Sequence, residues 1–172
     1  LAALDTTMVA TVLSQVGSEF AVSNTVAWLG TSYMLTQMAC QPLYGRLSDA
    51  FGRRAMTLFA SSLFFVGTLS CGLSRTFVQL CIARAMAGMG GSGLTSLDTM
   101  VVSDMMSVQA RATWQGLGNV IFAIGAALGG PLGGVLVDAQ WGWRWAFLLQ
   151  VPLCAAHLFF VFAKVRIPVS YT

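Results

Sequence analysis

The sequence predicts an all-α membrane protein, a bundle of six membrane-spanning helices, and three observations lead to that fold class. Hydrophobic residues make up 56% of the 172 residues and charged residues only 9%, whereas soluble domains carry about 25% charged residues. The mean hydropathy is +0.75. The apolar residues form long runs, and about 20 of them in a helix cross a hydrocarbon core of roughly 30 Å.

Six apolar runs define the predicted spans, and neither a soluble domain nor a linker separates them. The second run ends at the charged stretch GRLSDAFGRR and the third starts directly after it, while GWRW precedes the sixth. The six spans cover approximately residues 1–16, 26–44, 55–73, 77–102, 113–137 and 145–163. The sequence starts without Met and stops just past a span. We therefore expect residues 1–172 to be the N-terminal transmembrane domain of a longer protein whose C-terminal half is absent.

The positive charges predict the orientation of the bundle. Alternating connections place two groups of basic residues on opposite sides of the membrane. One side has Arg46, Arg53, Arg54, Arg111, Lys164 and Arg166, and the other has Arg75 and Arg144. Because cytoplasmic loops carry an excess of Lys and Arg, the first side is predicted to be cytoplasmic. Four tryptophans fall at the opposite ends of the spans, where aromatic belts are expected: Trp28, Trp141, Trp143 and Trp145. The net charge of +3 thus indicates topology and not nucleic-acid binding.

Three charged residues lie inside predicted spans, where each needs a physical reason; Asp5 and Arg84 are considered first. Asp5 lies roughly 17 Å from the outer end of the first span, near the midplane, at 1.5 Å of rise per residue. It is either a neutral carboxyl bonded to a neighbouring helix or a substrate or proton site. Arg84 lies roughly 10 Å below the outer surface in the fourth span. Because arginine keeps its charge, Arg84 needs an internal partner or water, and a solvated cavity is the simplest explanation.

A stripe along the fourth span predicts the lining of an aqueous path. Arg84, Gly88, Gly91, Thr95 and Asp98 follow spacings of four, three, four and three, which place them on one helix face. The basic end of the stripe points outwards, and the acidic end lies about 21 Å further in. Alternatively, Asp98 only reaches the cytoplasmic headgroups.

Other polar residues in the spans leave their roles open. His157 could titrate near neutrality or simply bond to a neighbouring carbonyl. Gln37 and Gln41 could join helices or contact a substrate. The four cysteines are far apart inside apolar segments, so they predict neither a disulfide framework nor a metal site. No cofactor is expected.

The fifth span contains small residues at four-residue spacing, which allow another helix to approach closely. These residues are Gly125, Gly129 and Gly133, with Gly130, Gly134 and Pro131 among them. Proline removes one backbone hydrogen bond and bends a helix. The segment therefore predicts a close, bent helix contact that can rearrange.

Three motifs give the chain a resemblance to the major facilitator superfamily over its whole length. GRLSDAFGRR resembles the superfamily's cytoplasmic loop signature, carried by Gly45, Leu47, Asp49, Gly52, Arg53 and Arg54. The resemblance implies a gating loop that holds the two transporter halves together, with Asp49 facing the positive end of the third helix. RAMAGMGGSG resembles the fourth-helix motif, whose arginine, here Arg84, is tied to proton coupling. GAALGGPLGG resembles the fifth-helix antiporter motif.

Further strings resemble one branch of the superfamily. LDTTMVATVL and GWRWAFLLQVP resemble the fourteen-helix drug:proton antiporters. The combination of GGPLGG, GWRWAFLLQVP and SDMM…RATWQG most resembles the fungal vacuolar basic amino acid transporters. The resemblance implies a proton-coupled secondary transporter of cationic amino acids in the vacuolar membrane, working by alternating access between two halves. Multidrug efflux of drug-like cations at the plasma membrane is the alternative. A non-transporting scaffold or receptor disagrees with Asp5 and Arg84. No Ser/His/Asp set, metal cluster or phosphate loop suggests an enzyme.

Overall fold

The computed structural model describes residues 2–19, 25–105, 107–138 and 143–164. All regular structure in these ranges is helical, which confirms the predicted all-α fold class. The helices are α1 (Ala2–Glu19), α2 (Trp28–Phe51), α3 (Arg53–Leu73), α4 (Phe77–Met105), α5 (Val108–Asp138), α6 (Trp143–Leu148) and α7 (Gln150–Lys164). Trp141 and Arg166 lie outside the described residues.

The connection between α2 and α3 is much shorter than predicted. We predicted that Gly45 to Arg54 form a loop between the second and third spans, but Gly52 alone separates the two helices. The residues from Gly45 to Phe51 contain no proline, so the helix continues through their charges. Gly52 has φ 86° and ψ 145°, and its N–H donates to the Ser48 carbonyl at 3.1 Å. A positive φ is adopted readily by glycine. One glycine therefore ends α2 and starts α3.

The sixth predicted span consists of two helices. Leu149 separates α6 from α7, and its N–H still donates to the Trp145 carbonyl at 2.9 Å. Pro152 has no N–H to offer the Leu148 carbonyl one turn earlier, which accounts for the interruption. In contrast, α5 continues through Pro131. The bend predicted there stays a prediction.

Helix α4 packs against both α2 and α3, while α1 packs mainly on α5 and α3 also contacts α6 and α7. Glycines make the α4 contacts possible. A Cβ built on Gly67 of α3 would lie 2.6 Å from the Ala87 nitrogen, and one on Gly93 of α4 would lie 2.7 Å from Tyr44 Cε1. Helix α4 therefore lies closer to its neighbours than a Cβ at these two glycines would allow.

We expect Gly67→Ala to destabilise the bundle, because its new methyl group would meet the Ala87 backbone rather than a flexible side chain. Overpacking of this kind costs about 1–3 kcal/mol. Gly118→Ala is the matched control, since nothing lies within 4 Å of a Cβ at that position and alanine favours helix. Thermal unfolding in detergent should show a lower midpoint for Gly67→Ala only. Equal midpoints in both variants would contradict the close α3–α4 contact.

By length and composition alone, two helical segments among the described residues could cross a bilayer: Arg53–Leu73 and Arg144–Phe162. The first is α3, and the second combines most of α6 and α7. Their outward side chains are large and apolar, with Phe59 55% and Phe159 73% exposed. The six-span arrangement as a whole stays a prediction.

Candidate functional site

A buried ion pair joins α1 to α4. Arg84 Nη1 donates to both carboxylate oxygens of Asp5, each at 2.8 Å. The two side chains are 2% and 0% exposed. Removing one partner from such a pair leaves an uncompensated buried charge, which costs about 3–5 kcal/mol. The two charges therefore depend on each other.

Aromatic rings from two further helices enclose the guanidinium group. The Arg84 Cζ atom lies 4.5 Å from the ring centroid of Tyr33 on α2 and 5.8 Å from that of Phe147 on α6. Cations are attracted to aromatic faces at these distances. Four helices thus converge on one charged group, and a change in the ion pair would act on all of them.

Two polar groups beside the ion pair have no hydrogen-bond partner among the residues that the structure describes. They are the Arg84 Nε–H and the Tyr33 hydroxyl. Buried polar groups are normally paired, and both of these can donate a hydrogen bond. The site therefore has two available donors next to a neutralised charge pair.

Sequence reasoning found both charged residues but not their pairing. The partner that Arg84 needs is Asp5, so the expected solvated cavity is replaced by a direct contact. Asp5 is bonded to a neighbouring helix as one interpretation expected, but to a cation rather than as a neutral carboxyl. The estimated depths of the two residues differed by roughly 7 Å at helical rise. The length of the arginine side chain could have suggested that they meet.

The predicted stripe on α4 does not form one continuous open path. Gly91 is buried, and a Cβ there would lie 2.6 Å from the Tyr33 hydroxyl oxygen. Gly88 is likewise covered by Tyr33 and Thr36 of α2. Because both glycines are used for helix contact, only the inner part of the stripe is accessible, with Thr95 and Asp98 exposed.

Arg53 is the centre of a charge cluster at the end of the bundle predicted to be cytoplasmic. Its Nη2 lies 2.8 Å from Asp104 Oδ2 on α4 and 3.4 Å from Asp49 Oδ1 on α2. Its Nη1 donates to Ser48 Oγ at 2.9 Å and contacts Met100 Sδ at the same distance. The cluster joins α2, α3 and α4, and its shortest ion pair, to Asp104, was not predicted.

The remaining residues of the charged motif lie around this cluster. Gly45 faces Met100, whose Cε would be 3.2 Å from a Cβ at that position. Arg54 points away from the cluster, and its Nη2 donates to the Phe162 carbonyl of α7 at 3.2 Å. The two adjacent arginines therefore serve different helix contacts.

The glycine-rich segment of α5 shows a mixed outcome. Gly129 is buried and Gly125 is half-buried, whereas Pro131 is exposed. Among the described residues, nothing lies within 4 Å of a Cβ built on Gly130 or Gly134. The surroundings of Gly133 are not described. The described residues therefore make no close contact at Gly130 or Gly134, and the helix contact expected there stays a prediction.

The polar residues with open roles occupy separate places. Gln37 is half-buried and Gln41 is exposed on α2. His157 is half-buried, and its Nε2 has no hydrogen-bond partner in the described part of the chain, so a bond from that atom to a neighbouring carbonyl is absent there. Nor do the described residues bring three His, Cys, Asp or Glu side chains together as a metal site.

Ionisable residues buried inside membrane helices commonly mark substrate, ion or proton pathways, so the Asp5–Arg84 ion pair is the candidate functional site of this helical, strongly apolar chain. The family model of the Major Facilitator Superfamily matches residues 1–171. The chain belongs to this superfamily, whose members are membrane transporters.

Relatives carry names of two kinds. The chain is 48% identical over 97% of its length to multidrug resistance protein fnx1 of Schizosaccharomyces pombe. It is 44% identical over 98% of its length to the vacuolar membrane amino acid uptake transporter fnx2 of the same yeast. It is 41% identical over 89% of its length to vacuolar basic amino acid transporter 1 of Saccharomyces cerevisiae. The chain spans 31%, 29% and 27% of these relatives, respectively.

Proposed function

We propose that this chain is the N-terminal half of a proton-coupled secondary transporter that moves basic amino acids into the vacuole. It would work by alternating access against a second half, and we call the two halves together the complete transporter. The buried Asp5–Arg84 ion pair is the observation that carries the proposal. The names of two relatives, which mention amino acids and the vacuole, support the substrate and the membrane.

Proton coupling follows from the chemistry of the ion pair. A proton bound by Asp5 would neutralise the carboxylate while Arg84 keeps its charge. The guanidinium group would then be buried without a counter-charge, which is unfavourable. A conformation that brings water or substrate to Arg84 would become more stable. Protonation of one carboxyl group would thereby shift the equilibrium between the two states of the transporter.

The two available donors suggest how an amino acid would be recognised. A basic amino acid carries a carboxylate and a cationic side chain. The Arg84 Nε–H and the Tyr33 hydroxyl, which lack partners in the described chain, would donate to the carboxylate once the site opens. Once Asp5 has released its proton, its carboxylate has capacity for hydrogen bonds beyond those from Arg84 and would accept from the cationic group, so that proton and substrate would bind Asp5 in turn. A lipophilic cation without a carboxylate could use only the second contact.

Uptake into isolated vacuoles tests the proposed substrate. Vacuoles from cells with and without the complete transporter are given radiolabelled lysine, arginine or a lipophilic cation over a range of concentrations. We expect saturable, proton-gradient-dependent uptake of lysine and arginine that needs the transporter. If the parent protein never transports lysine, the basic amino acid assignment is wrong.

Multidrug efflux is the second candidate, because one relative at 48% identity is named a multidrug resistance protein. This alternative places the transporter in the plasma membrane and predicts export of varied hydrophobic cations, with lysine ignored. The same three substrates are therefore also given to plasma-membrane vesicles: transport of the lipophilic cation there, with lysine ignored, would favour efflux over vacuolar uptake of basic amino acids.

We further propose that Asp49 contributes to gating at the cytoplasmic end. Asp49→Asn should slow transport by the complete transporter while its abundance stays nearly unchanged. The reason is that Arg53 keeps its shorter ion pair to Asp104, and an exposed pair contributes only about 0.2–1 kcal/mol to stability. Initial transport rates and membrane abundance are measured together.

Asp104→Asn is the matched control for Asp49→Asn. It removes the other carboxylate contact of Arg53 and leaves the Asp49 contact in place. Normal kinetics in Asp49→Asn would reject its gating role. Slower transport in Asp104→Asn alone would instead assign the gating role to the Arg53–Asp104 ion pair between α3 and α4.

A further inference from the structure

An apolar groove runs between α3 and α7 along the lateral surface of the helix bundle. Its volume is about 590 Å³, and Leu58, Ser62, Phe65, Ala155, Leu158 and Phe162 contribute to its lining. The only hydroxyl among these side chains is already used, because Ser62 Oγ donates to the Phe59 carbonyl at 2.8 Å. The groove therefore presents hydrocarbon, and its volume lies in the range of ligand-binding pockets, roughly 300–1,000 Å³.

The groove lies in the two segments that are long and apolar enough to cross a bilayer. On α3 it covers the stretch from Leu58 to Phe65, about 10 Å at helical rise. It begins one turn after the start of α3, at the end of the bundle that the positive charges predict to be cytoplasmic. An acyl chain of the cytoplasmic leaflet would thus be at the right depth to fill it.

A positive charge is positioned at the mouth of this groove. Arg54, Leu58, Ser62 and Phe65 follow spacings of four, four and three, so they share one face of α3. The exposed Arg54 side chain reaches across to α7, where Nη2 donates to the Phe162 carbonyl at 3.2 Å. This bond uses one of the five guanidinium donors. In the described part of the chain the others are available to the phosphate and carboxylate oxygens of an anionic headgroup at the membrane surface.

We propose that the α3–α7 groove binds one anionic phospholipid, with an acyl chain between the helices and the headgroup on Arg54. Charge complementarity favours this occupant over a neutral lipid, because basic pockets between membrane helices bind anionic headgroups. Lipid tails match the apolar lining, and filling the groove restores the dispersion contacts that an empty groove lacks. This inference goes beyond the proposed function and does not depend on which substrate is carried.

Native mass spectrometry of the detergent-purified complete transporter tests the site. The protein is mixed with equal amounts of phosphatidylserine and phosphatidylcholine that carry the same acyl chains. We expect one retained lipid, with phosphatidylserine preferred about fivefold, the effect of one basic residue near the surface. Because both lipids compete in one sample, the ratio does not depend on the fraction of folded protein.

Two pairs of variants separate charge from groove filling. Arg54→Gln should abolish the preference, so that phosphatidylserine and phosphatidylcholine are retained in a ratio of about one. Arg46→Gln, which removes an exposed arginine near the end of α2, should leave the ratio unchanged. Ala155→Phe should fill the groove and release both lipids, whereas Ala156→Phe at the adjacent exposed position outside the lining should not.

Three results would overturn the proposal. The first is a parent protein that retains neither lipid, as expected if another segment of the chain covers the groove. The second is a lipid-free dimer, which would assign the groove to a second copy. The third is that each variant and its control change lipid binding equally. The preference would then come from unspecific surface charge and not from the groove.

Discussion

Replacing Asp5 with asparagine is expected to abolish proton-driven accumulation of lysine and arginine by the complete transporter. The variant cannot bind and release a proton at this position, and it leaves Arg84 buried without its counter-charge. We therefore also expect a loss of about 3–5 kcal/mol in stability, the typical result of breaking a buried pair. Uptake and thermal unfolding are measured on the same preparation.

A neutral double variant separates coupling from stability. Asp5→Asn combined with Arg84→Gln removes both charges, so it should recover much of the lost stability, since neutral replacement of a whole pair is often tolerated. It should not recover accumulation. Accumulation at the parent rate in Asp5→Asn would contradict the proposed role of the Asp5 carboxylate.

Asp98→Asn, at the exposed inner end of the α4 stripe, should mainly weaken apparent affinity from the cytoplasmic side.

Replacing Arg84 with lysine is expected to abolish most of the proton-driven accumulation while downhill exchange of substrate survives. The positive charge remains, and one ammonium group could imitate the single Nη1 that contacts both Asp5 oxygens. Lysine lacks the planar group that lies against Tyr33 and Phe147, and it lacks the available Nε–H. The variant should therefore fold but lose the coupled movement.

Arg84→Gln is the comparison for this result. It removes the charge, so it should impair both folding and all transport, because Asp5 would be left buried and unpaired. Accumulation and exchange are assayed separately in reconstituted vesicles. Equal loss of both activities in Arg84→Lys would indicate a structural role, and full retention of both would limit Arg84 to anchoring its helix.

The sequence was sufficient for the fold class because the relevant signals are local. Long apolar runs and charged interruptions placed most of the described helix ends within a few residues, with α4 starting at Phe77 as predicted. In contrast, α2 extends to Phe51 rather than to residue 44, and the sixth predicted span is divided into two helices. The length of the connection between α2 and α3 was not predictable in the same way. The segment from Arg46 to Ala50 contains two charged side chains and resembles a loop by polarity, yet the helix continues through it to Phe51 and ends at Gly52, which has a positive φ.

The residues of the site could be predicted from the sequence, but the contacts between them could not. Asp5 and Arg84 attract attention because charge in a membrane helix is unfavourable. Their pairing depends on how α1 and α4 are rotated and placed, which no local pattern encodes. The same is true of Asp104, which is 51 residues from Arg53 in sequence and only 2.8 Å away in space. Gly88 and Gly91 of α4 were assigned to an open path, although both allow α2 to approach.

Simultaneous measurement of proton and lysine movement tests the central claim most directly. The complete transporter is reconstituted in vesicles that contain a pH-sensitive dye, and a lysine gradient is imposed without a proton gradient. We predict that lysine moving one way drives protons the other way in the parent protein, and that Asp5→Asn moves no protons. Proton movement that persists unchanged in Asp5→Asn, or lysine transport without proton movement in the parent, would contradict the account.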